Sequence, residues 1–436
     1  SQFLNTDNSN NFGSGSLMRF TFHDGSQTAR DFVANDTHGN SIIDSNFILQ
    51  GCAYMYVEFI YDSEKMPSLP KITMTIKGKK VYDPRLDSTV TSGSGSHRLT
   101  TASTHAWSDN PALHILDFLT DTTYGLKSTA SEVNLSLAAG GFMSAANTCE
   151  QSVTIASVAE ERYTSNGFSN MSAKGEGIIE GILSSCGGKL TFTNGTFNVF
   201  VAAAQTPSLT VTDSDLLSAV AVSRNTRSNE LFNSIKALYV DKTNNYIGTD
   251  TPELANSTFL TEDTPSGETN TNYKKRMELQ LPFTNTSRTA ERLAKIALQH
   301  QRKTLQLSLL STTKFLRVQP CDFVYVTNER LGYTQKMFEV ISTQLEFIET
   351  DEVPVAGTRL NLKEIESATY DFVSNDYITP VTQGTPAEVP AGSYEMSAPS
   401  TPSLSQILVI DGTTSKINIK VNWTNSTSPY LFGTEI

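Results

Sequence analysis

Only four of the 436 residues are cysteine (Cys52, Cys149, Cys186 and Cys321), and no two stand at C-x-x-C spacing. That excludes the common thiolate metal and dithiol redox motifs. Cys149 and Cys186 fall in apolar helical patterns and read as buried free thiols, which suits assembly in a reducing cytoplasm. Long hydrophobic runs are missing as well, since nothing approaches the roughly 20 apolar residues of a membrane-spanning helix. The opening Ser1-Gln2-Phe3 carries neither the charge nor the apolar stretch of a secretion signal. Without an initiator methionine it reads as part of a longer chain. Charged residues are sparse (18%) and unbalanced, with a net charge of −12. Such acidity argues against a general nucleic-acid binder, whose affinity rests on Lys and Arg. It is compatible with a conduit whose wall repels passing DNA.

Catalytic signatures are also lacking. There is no G-x-S-x-G elbow, Walker A loop, G-x-G-x-x-G turn or H-E-x-x-H pair. Gly93-Ser94-Gly95-Ser96 has no Rossmann-type strand before it and no Lys-Ser/Thr after it, and reads as a flexible loop. Six histidines are scattered. His97, His105 and His114 lie nearest one another, but not at metal-ligand spacing, and the first two sit in a Ser/Thr-rich segment. His23 and Asp24 are neighbours on a strand end, so they point to opposite faces and form no dyad. Asp24-Gly25 reads instead as a hairpin turn. Glu160-Glu161 and the pair Asp213 and Asp215 have no partner constellation. A glycosidase needs only two carboxylates brought together by the fold, so that class stays open at this level. No catalytic, cofactor-binding or metal residue is assigned, and no cofactor is expected. The chain is read as a non-enzyme.

What is present is a β-rich globular pattern. Hydrophobic residues make up 38%, and the length suits two to four domains. Short helices interrupt the strands, which predicts an α+β, mostly β, fold. Leu17–Phe22 and the aromatic-rich Cys52–Asp62 read as strands. Ile72, Met74 and Ile76 alternate with Thr73 and Thr75 as a further strand, Lys77-Gly78-Lys79 turns, and Asp83-Pro84 ends the pattern. A helix follows with Asn110 as N-cap, Pro111 at its first position, Leu113, Ile115, Leu116 and Leu119 inward, and Gly125 as its stop. Helices are expected over Ala138–Cys149 and Ser172–Cys186, and a hairpin over Lys189–Phe200 on the Asn194-Gly195 turn. Further on come a sheet strand entered from Ser228, a polar excursion over Asp241–Tyr273, and a helix over Thr289–Arg302 with a Glu291/Lys295 pair. Strands Thr304–Leu310 and Phe315–Val318 precede the turn Pro320-Cys321-Asp322, from which Phe323–Val326 and Met337–Val340 run out and back.

The ordered phrases carry a resemblance. Lys77-Gly78-Lys79-Lys80-Val81-Tyr82-Asp83-Pro84-Arg85 is followed by Ser108-Asp109-Asn110-Pro111-Ala112 and Thr120-Asp121-Thr122-Thr123-Tyr124-Gly125-Leu126. Arg162-Tyr163 with Asn166-Gly167, the helix to Cys186, the hairpin, and Arg227, Phe232, Asn233, Ile235 and Tyr239 come after. This set resembles the lambda-type siphophage tail-tip family, also called host-specificity or tip-attachment protein J or the tail hub, found in gene transfer agents and prophages too. The likeness spans about Leu17–Phe347 and departs at Cys321, where the family commonly has glycine.

The resemblance implies a structural virion protein: a homotrimeric hub at the distal end of the tail, two tube-like β-barrels per subunit giving a pseudo-sixfold ring. Its implied role is to close the tube and join it to receptor-binding parts for host attachment and DNA ejection. Implied partners are the distal tail protein, other baseplate proteins and the tape measure protein, with DNA only in transit and the host receptor met by regions beyond Ile436. The chain then divides into a β-rich hub region (1–106), an α/β hub region (107–204), a second tube-like barrel with one helix (205–367), a Pro/Gly/Ser-rich linker (368–400) and the start of a fibronectin type III-like module (401–436). The reading from a different class is a saccharide-binding or glycan-hydrolysing surface protein, suggested by the Tyr-, Trp- and Asn-rich loops.

Overall fold

The structure is a computed structural model and describes residues 4–5, 18–29, 48–59, 61–64, 68, 72, 74–170, 174–224, 231–265, 273–348, 355–379, 403–411 and 414–422. The chain divides into two units, Ser1–Gly78 and Lys79–Ile436.

In the first unit, β1 (Leu4–Asn5), β2 (Met18–His23) and β3 (Tyr54–Phe59) form one sheet in that order. β2 and β3 are antiparallel with His23 opposite Tyr54, and those two rings stack at 4.6 Å. Asp24-Gly25 turns the chain, with Gly25 at φ +98° and Asp24 accepting from Ser26 N. It is not a tight hairpin, because the returning strand begins only at Tyr54. The described residues of the expected Ile72–Ile76 strand are not in strand conformation either. Residues 72 and 74–76 pair with nothing in a ladder, and Ile72, Met74 and Ile76 are exposed. Alternation marks a surface that could be half buried, but without a partner edge it makes no strand.

The second unit packs around three cores. The first gathers α1 (Pro111–Thr120), α2 (Phe142–Cys149), α3 (Gly175–Ser184) and the hairpin β6 (Lys189–Thr193) to β7 (Thr196–Phe200). Leu113, Ile115, Leu116 and Leu119 are buried as their spacing requires. Asn194 and Gly195, at φ +52° and +80°, make the turn that matches the strand twist. A second hairpin runs from β4 (Ser152–Ile155) to β5 (Val158–Glu161). Ala156 and Ser157 both take positive φ there. Helix α1 ends at Thr120, not at Gly125. Gly125 serves a close approach: a Cβ there would lie 2.1 Å from Phe118 O, to which Leu126 N donates at 3.0 Å. Lys79 reaches the same end of α1 and pairs with Asp117 and Asp121, both at 2.7 Å, a favourable place for a cation.

The second core lies between α5 (Ser287–Arg302) and the sheet of β10 (Ser234–Asp241), β11 (Ile247–Asp250), β12 (Leu254–Ala255) and β13 (Arg276–Leu281). It also takes in Cys149, Tyr163, Cys186 and Ala202. The described part of the stretch expected as an exposed excursion, up to residue 265, belongs to this layer. β11 and β12 both pair with β10, and α4 (Ser257–Asp263) is capped by Asn256, whose Oδ1 accepts from Thr258 N and Phe259 N. The expected Glu291/Lys295 pair does not form. Glu291 is 1% exposed and accepts from Ile378 N at 2.8 Å, while Lys295 pairs with Asp376 at 2.8 Å. Both hold a segment, 367–378, that lies along α5, and burial pushes the Glu291 carboxyl up to about 7.

The third core sits inside a six-stranded sheet ordered β8 (Leu209–Val211), β15 (Phe323–Asn328), β16 (Tyr333–Ile348), β17 (Val355–Glu364), β14 (Gln306–Thr312) and β9 (Ala221–Ser223). Among the described residues the sheet is open, with the three-residue strands β8 and β9 as its edges, so the single chain shows no closed barrel. The strand expected at Phe315–Val318 is a 3-10 turn over Thr313–Arg317. Phe315 and Val318 are both buried, and one such turn aligns residues three apart. Toward the C-terminus β18 (Ser403–Asp411) and β19 (Thr414–Asn422) form an antiparallel hairpin within the 401–436 stretch, the rest of which lies outside the described residues.

Candidate functional site

Two of the phrases that carried the resemblance, Asp83-Pro84-Arg85 and Asn110-Pro111, meet in space through Glu150. Asp83 caps a short 3-10 turn by accepting from Arg85 N, and its carboxylate also takes the Arg85 guanidinium at 2.7 Å. Arg85 then forks onto both oxygens of Glu150 at the end of α2, each at 2.6 Å. Glu150 Oε1 accepts a third bond from Asn110 Nδ2 at 3.0 Å. Asn110 is 1% exposed and uses both ends of its amide: Nδ2 also donates to Ala146 O, while Oδ1 accepts from Ala112 N at 3.0 Å. An Arg-carboxylate fork of this kind fixes direction as well as distance. The Asp-Pro-Arg and Asn-Pro phrases are therefore one polar joint that locks α1 against α2.

The stretch read as a flexible loop is fixed beside this joint. Ser94 N donates to Arg85 O and His97 N to Leu86 O, and a Cβ on Gly93 would lie 2.3 Å from Asp87 O. His97 is buried and accepts from Asp83 N, so the Ser/Thr-rich segment is ordered structure. His97 and His105 come within 6.4 Å, centroid to centroid, and His105 Nε2 meets Arg98 O. His114 meets Ser108 O at 2.9 Å instead of joining them. Three of the four carboxylate candidates, Glu160, Asp213 and Asp215, face cations or hydrogen-bond donors. Glu160 faces Arg288 and Arg292 at 3.8 and 4.0 Å, and burial raises its carboxyl above the usual range. Asp213 accepts from Asn328 and Glu329 N, and Asp215 caps Thr212 and pairs with Lys314. Among the described residues no cluster of His, Cys, Asp and Glu could hold a metal ion.

Sequence reasoning missed a pocket of about 410 Å³ where the three cores meet. Its walls are apolar, from Phe200, Met277, Leu279, Leu293, Ile296 and Phe323. At one side stand four polar groups from four elements. Glu339, 3% exposed, binds Lys189 through Oε1 and His300 Nε2 through Oε2 at 3.0 Å. His300 Nδ1 in turn meets Lys363 Nζ at 3.3 Å. Burial opposes the Glu339 charge, but the hydrogen bond from His300 and the Lys189 ammonium prevail and hold its carboxyl down to about 2. These positions are far apart in sequence and have no motif, so only the fold assembles them.

Cys321 lines the same pocket at φ +75°, the left-handed region. The family's glycine at this turn is thus matched by a backbone that wants one. The Cys321→Gly variant should lie within about 1 kcal/mol of the parent, because relief of a left-handed residue offsets the lost side chain. Cys321→Val should be about 2 kcal/mol less stable than Cys321→Gly, since a β-branched side chain fits that φ poorly. Urea unfolding of the two proteins checks the ordering.

Comparison with known proteins follows the same lines. Residues 174–340 match a family described as "Putative phage tail protein". Over 369 residues the chain is 24% identical to the baseplate hub protein pb3 of Escherichia phage T5, covering 76% of this chain and 35% of that protein. The chain thus spans about a third of the length of that relative. Among solved structures, the virion of a native gene transfer agent particle is similar at TM-score 0.33 and 13% identity, over 45% of this chain and 40% of that one. The 43 kDa tail protein of prophage MuSo2 from Shewanella oneidensis is similar at TM-score 0.29 and 12% identity, over 47% and 55%. Taken with the ordered phrases, the chain is similar to phage tail proteins over residues 174–340 and to a baseplate hub protein over three-quarters of its length.

Proposed function

We propose that this chain is the hub at the distal end of a siphophage tail, acting as a structural part and not as an enzyme. Three copies surround the channel, their open six-stranded sheets and β10 layers completing a pseudo-sixfold ring on the sixfold tube. The hub closes the tube, meets the distal tail, other baseplate and tape measure proteins, and carries receptor-reading parts that trigger DNA ejection. The divisions at 106/107, 204/205, 367/368 and 400/401, and a fibronectin type III-like module at the last, belong to the same proposal. So do location at the tail tip and assembly in the host cytoplasm.

The observation that supports this most is the alignment with a baseplate hub protein over three-quarters of the chain. The polar joint gives it a physical sense, because the Asp83-Pro84-Arg85 and Asn110-Pro111 phrases build a rigid contact. A part that bears load at a tail tip needs such fixed joints between small domains. Cryo-electron microscopy of the tail tip of the source particle, refined without imposed symmetry, tests the reading. Threefold density around a channel that fits this chain is expected. Sixfold density would make it a tube or distal-ring protein, and its absence from the particle would overturn the proposal.

A further inference from the structure

Lys363 is the residue in the junction pocket whose charge is least answered. Its ammonium is half-buried, and the hydrogen bond it makes there is to His300 Nδ1. That nitrogen must be the unprotonated one to accept from an ammonium, so His300 donates from Nε2 to Glu339. The carboxylate of Glu339 is in turn engaged by Lys189 on its other oxygen. The group holds two lysine ammoniums, Lys189 and Lys363, against one carboxylate. Burial lowers the Lys363 pKa, as expected of a cation stripped of water without a full counter-charge. Beside it the wall is apolar: Met277 and Leu279 from β13, Leu293 and Ile296 from α5, Phe200 from β7 and Phe323 from β15. A volume of about 410 Å³ falls in the range of small-ligand sites.

We infer that this pocket is a binding site for an anionic amphiphile, a single aliphatic chain ending in a carboxylate. The carboxylate sits on Lys363 and supplies the missing negative charge, and the chain lies along the Met277, Leu279 and Ile296 wall. A cationic head would meet Lys363 and Lys189 as like charges, and a neutral alcohol would leave the surplus charge unanswered. The site lies where the three cores of one subunit join, so its occupant would brace the α5 layer against the six-stranded sheet.

Isothermal titration of the purified full chain with dodecanoate, 1-dodecanol and dodecylammonium, all below their micelle concentrations, tests this. Saturable binding of one dodecanoate per chain is expected, with the alcohol at least tenfold weaker and the ammonium undetected. Lys363→Met keeps the aliphatic stem and removes the charge, and should weaken dodecanoate at least tenfold. Ala297→Trp, which fills the pocket from α5, should abolish binding of all three. Circular dichroism melts of both variants confirm that they fold, and dodecanoate should raise the melting temperature of the parent but not of Ala297→Trp. Equal affinity for acid and alcohol, dodecanoate binding unchanged in folded Lys363→Met, or no saturable binding to the parent would each overturn the proposal. So would preference for an apolar peptide with a free C-terminal carboxylate over dodecanoate, which would make this a protein-docking site. Failure here would leave the threefold hub untouched, since the two readings are measured on different objects.

Discussion

Replacing Glu339 by alanine should destabilise the protein by about 3–5 kcal/mol, the usual consequence of removing one partner from a buried ion pair. The side chain is 4% exposed and holds Lys189 on one oxygen and His300 on the other. Without it the Lys189 and Lys363 ammoniums share an apolar pocket with no counter-charge. Glu339→Gln separates charge from shape, and its difference from the parent should depend on pH in a fixed direction. The folded carboxyl sits at about 2, against an ordinary value of 4.5. A depressed folded pKa means the contribution is fully present above the unfolded value and fades as pH falls through the folded one. The gap between parent and Glu339→Gln should therefore be on the order of 3 kcal/mol at pH 7. It should shrink between about pH 4.5 and pH 2. Urea unfolding at a series of pH values reads this, and a gap independent of pH would show that the pair contributes no net stability.

The Glu339 group also marks where sequence reading runs out. Lys189 opens a hairpin strand, His300 ends a helix, and Glu339 and Lys363 face each other on paired strands. Nothing local ties these four together, so no spacing rule could find them. Local rules did succeed where one segment contains its own cause. The Asn110 cap, the Asn194-Gly195 turn and the stripe of α1 all stand as expected, because each is determined by residues within one turn or one hairpin. They failed where the deciding partner is distant. Glu291 and Lys295 looked like a surface pair at helical spacing, yet each is taken by the 367–378 segment crossing α5. Ile72, Met74 and Ile76 alternate well and meet no partner strand. The polar stretch after Asp241 looked like an excursion, and the edges of β10 recruit it. Composition alone could not have shown that those edges were available.

The joint built by Asp83, Arg85, Glu150 and Asn110 is the place where motif and mechanics coincide, and Asn110→Ala should reveal it. Losing the cap bond to Ala112 N costs about 0.5–2 kcal/mol. Losing the donor to Ala146 O and Glu150 adds about 1 kcal/mol, kept small because Ala146 O still accepts from Glu150 N and Glu150 still holds Arg85. The expected total is about 2–3 kcal/mol, read by chemical unfolding. Asn110→Ser keeps a capping oxygen but cannot span to Glu150, so its cost should be only about 1 kcal/mol. The distinguishing experiment is a double-mutant cycle of Asn110→Ala with Glu150→Gln. A coupling of about 0.5–3 kcal/mol is the mark of groups acting as one network. Additive losses would mean that Asn110 is simply a helix cap, and that the two phrases lie side by side without locking α1 to α2. On the proposed hub reading, coupling further predicts fewer intact tail tips from the same variant, because the joint fixes the angle between helices on which the rest of the first core is packed.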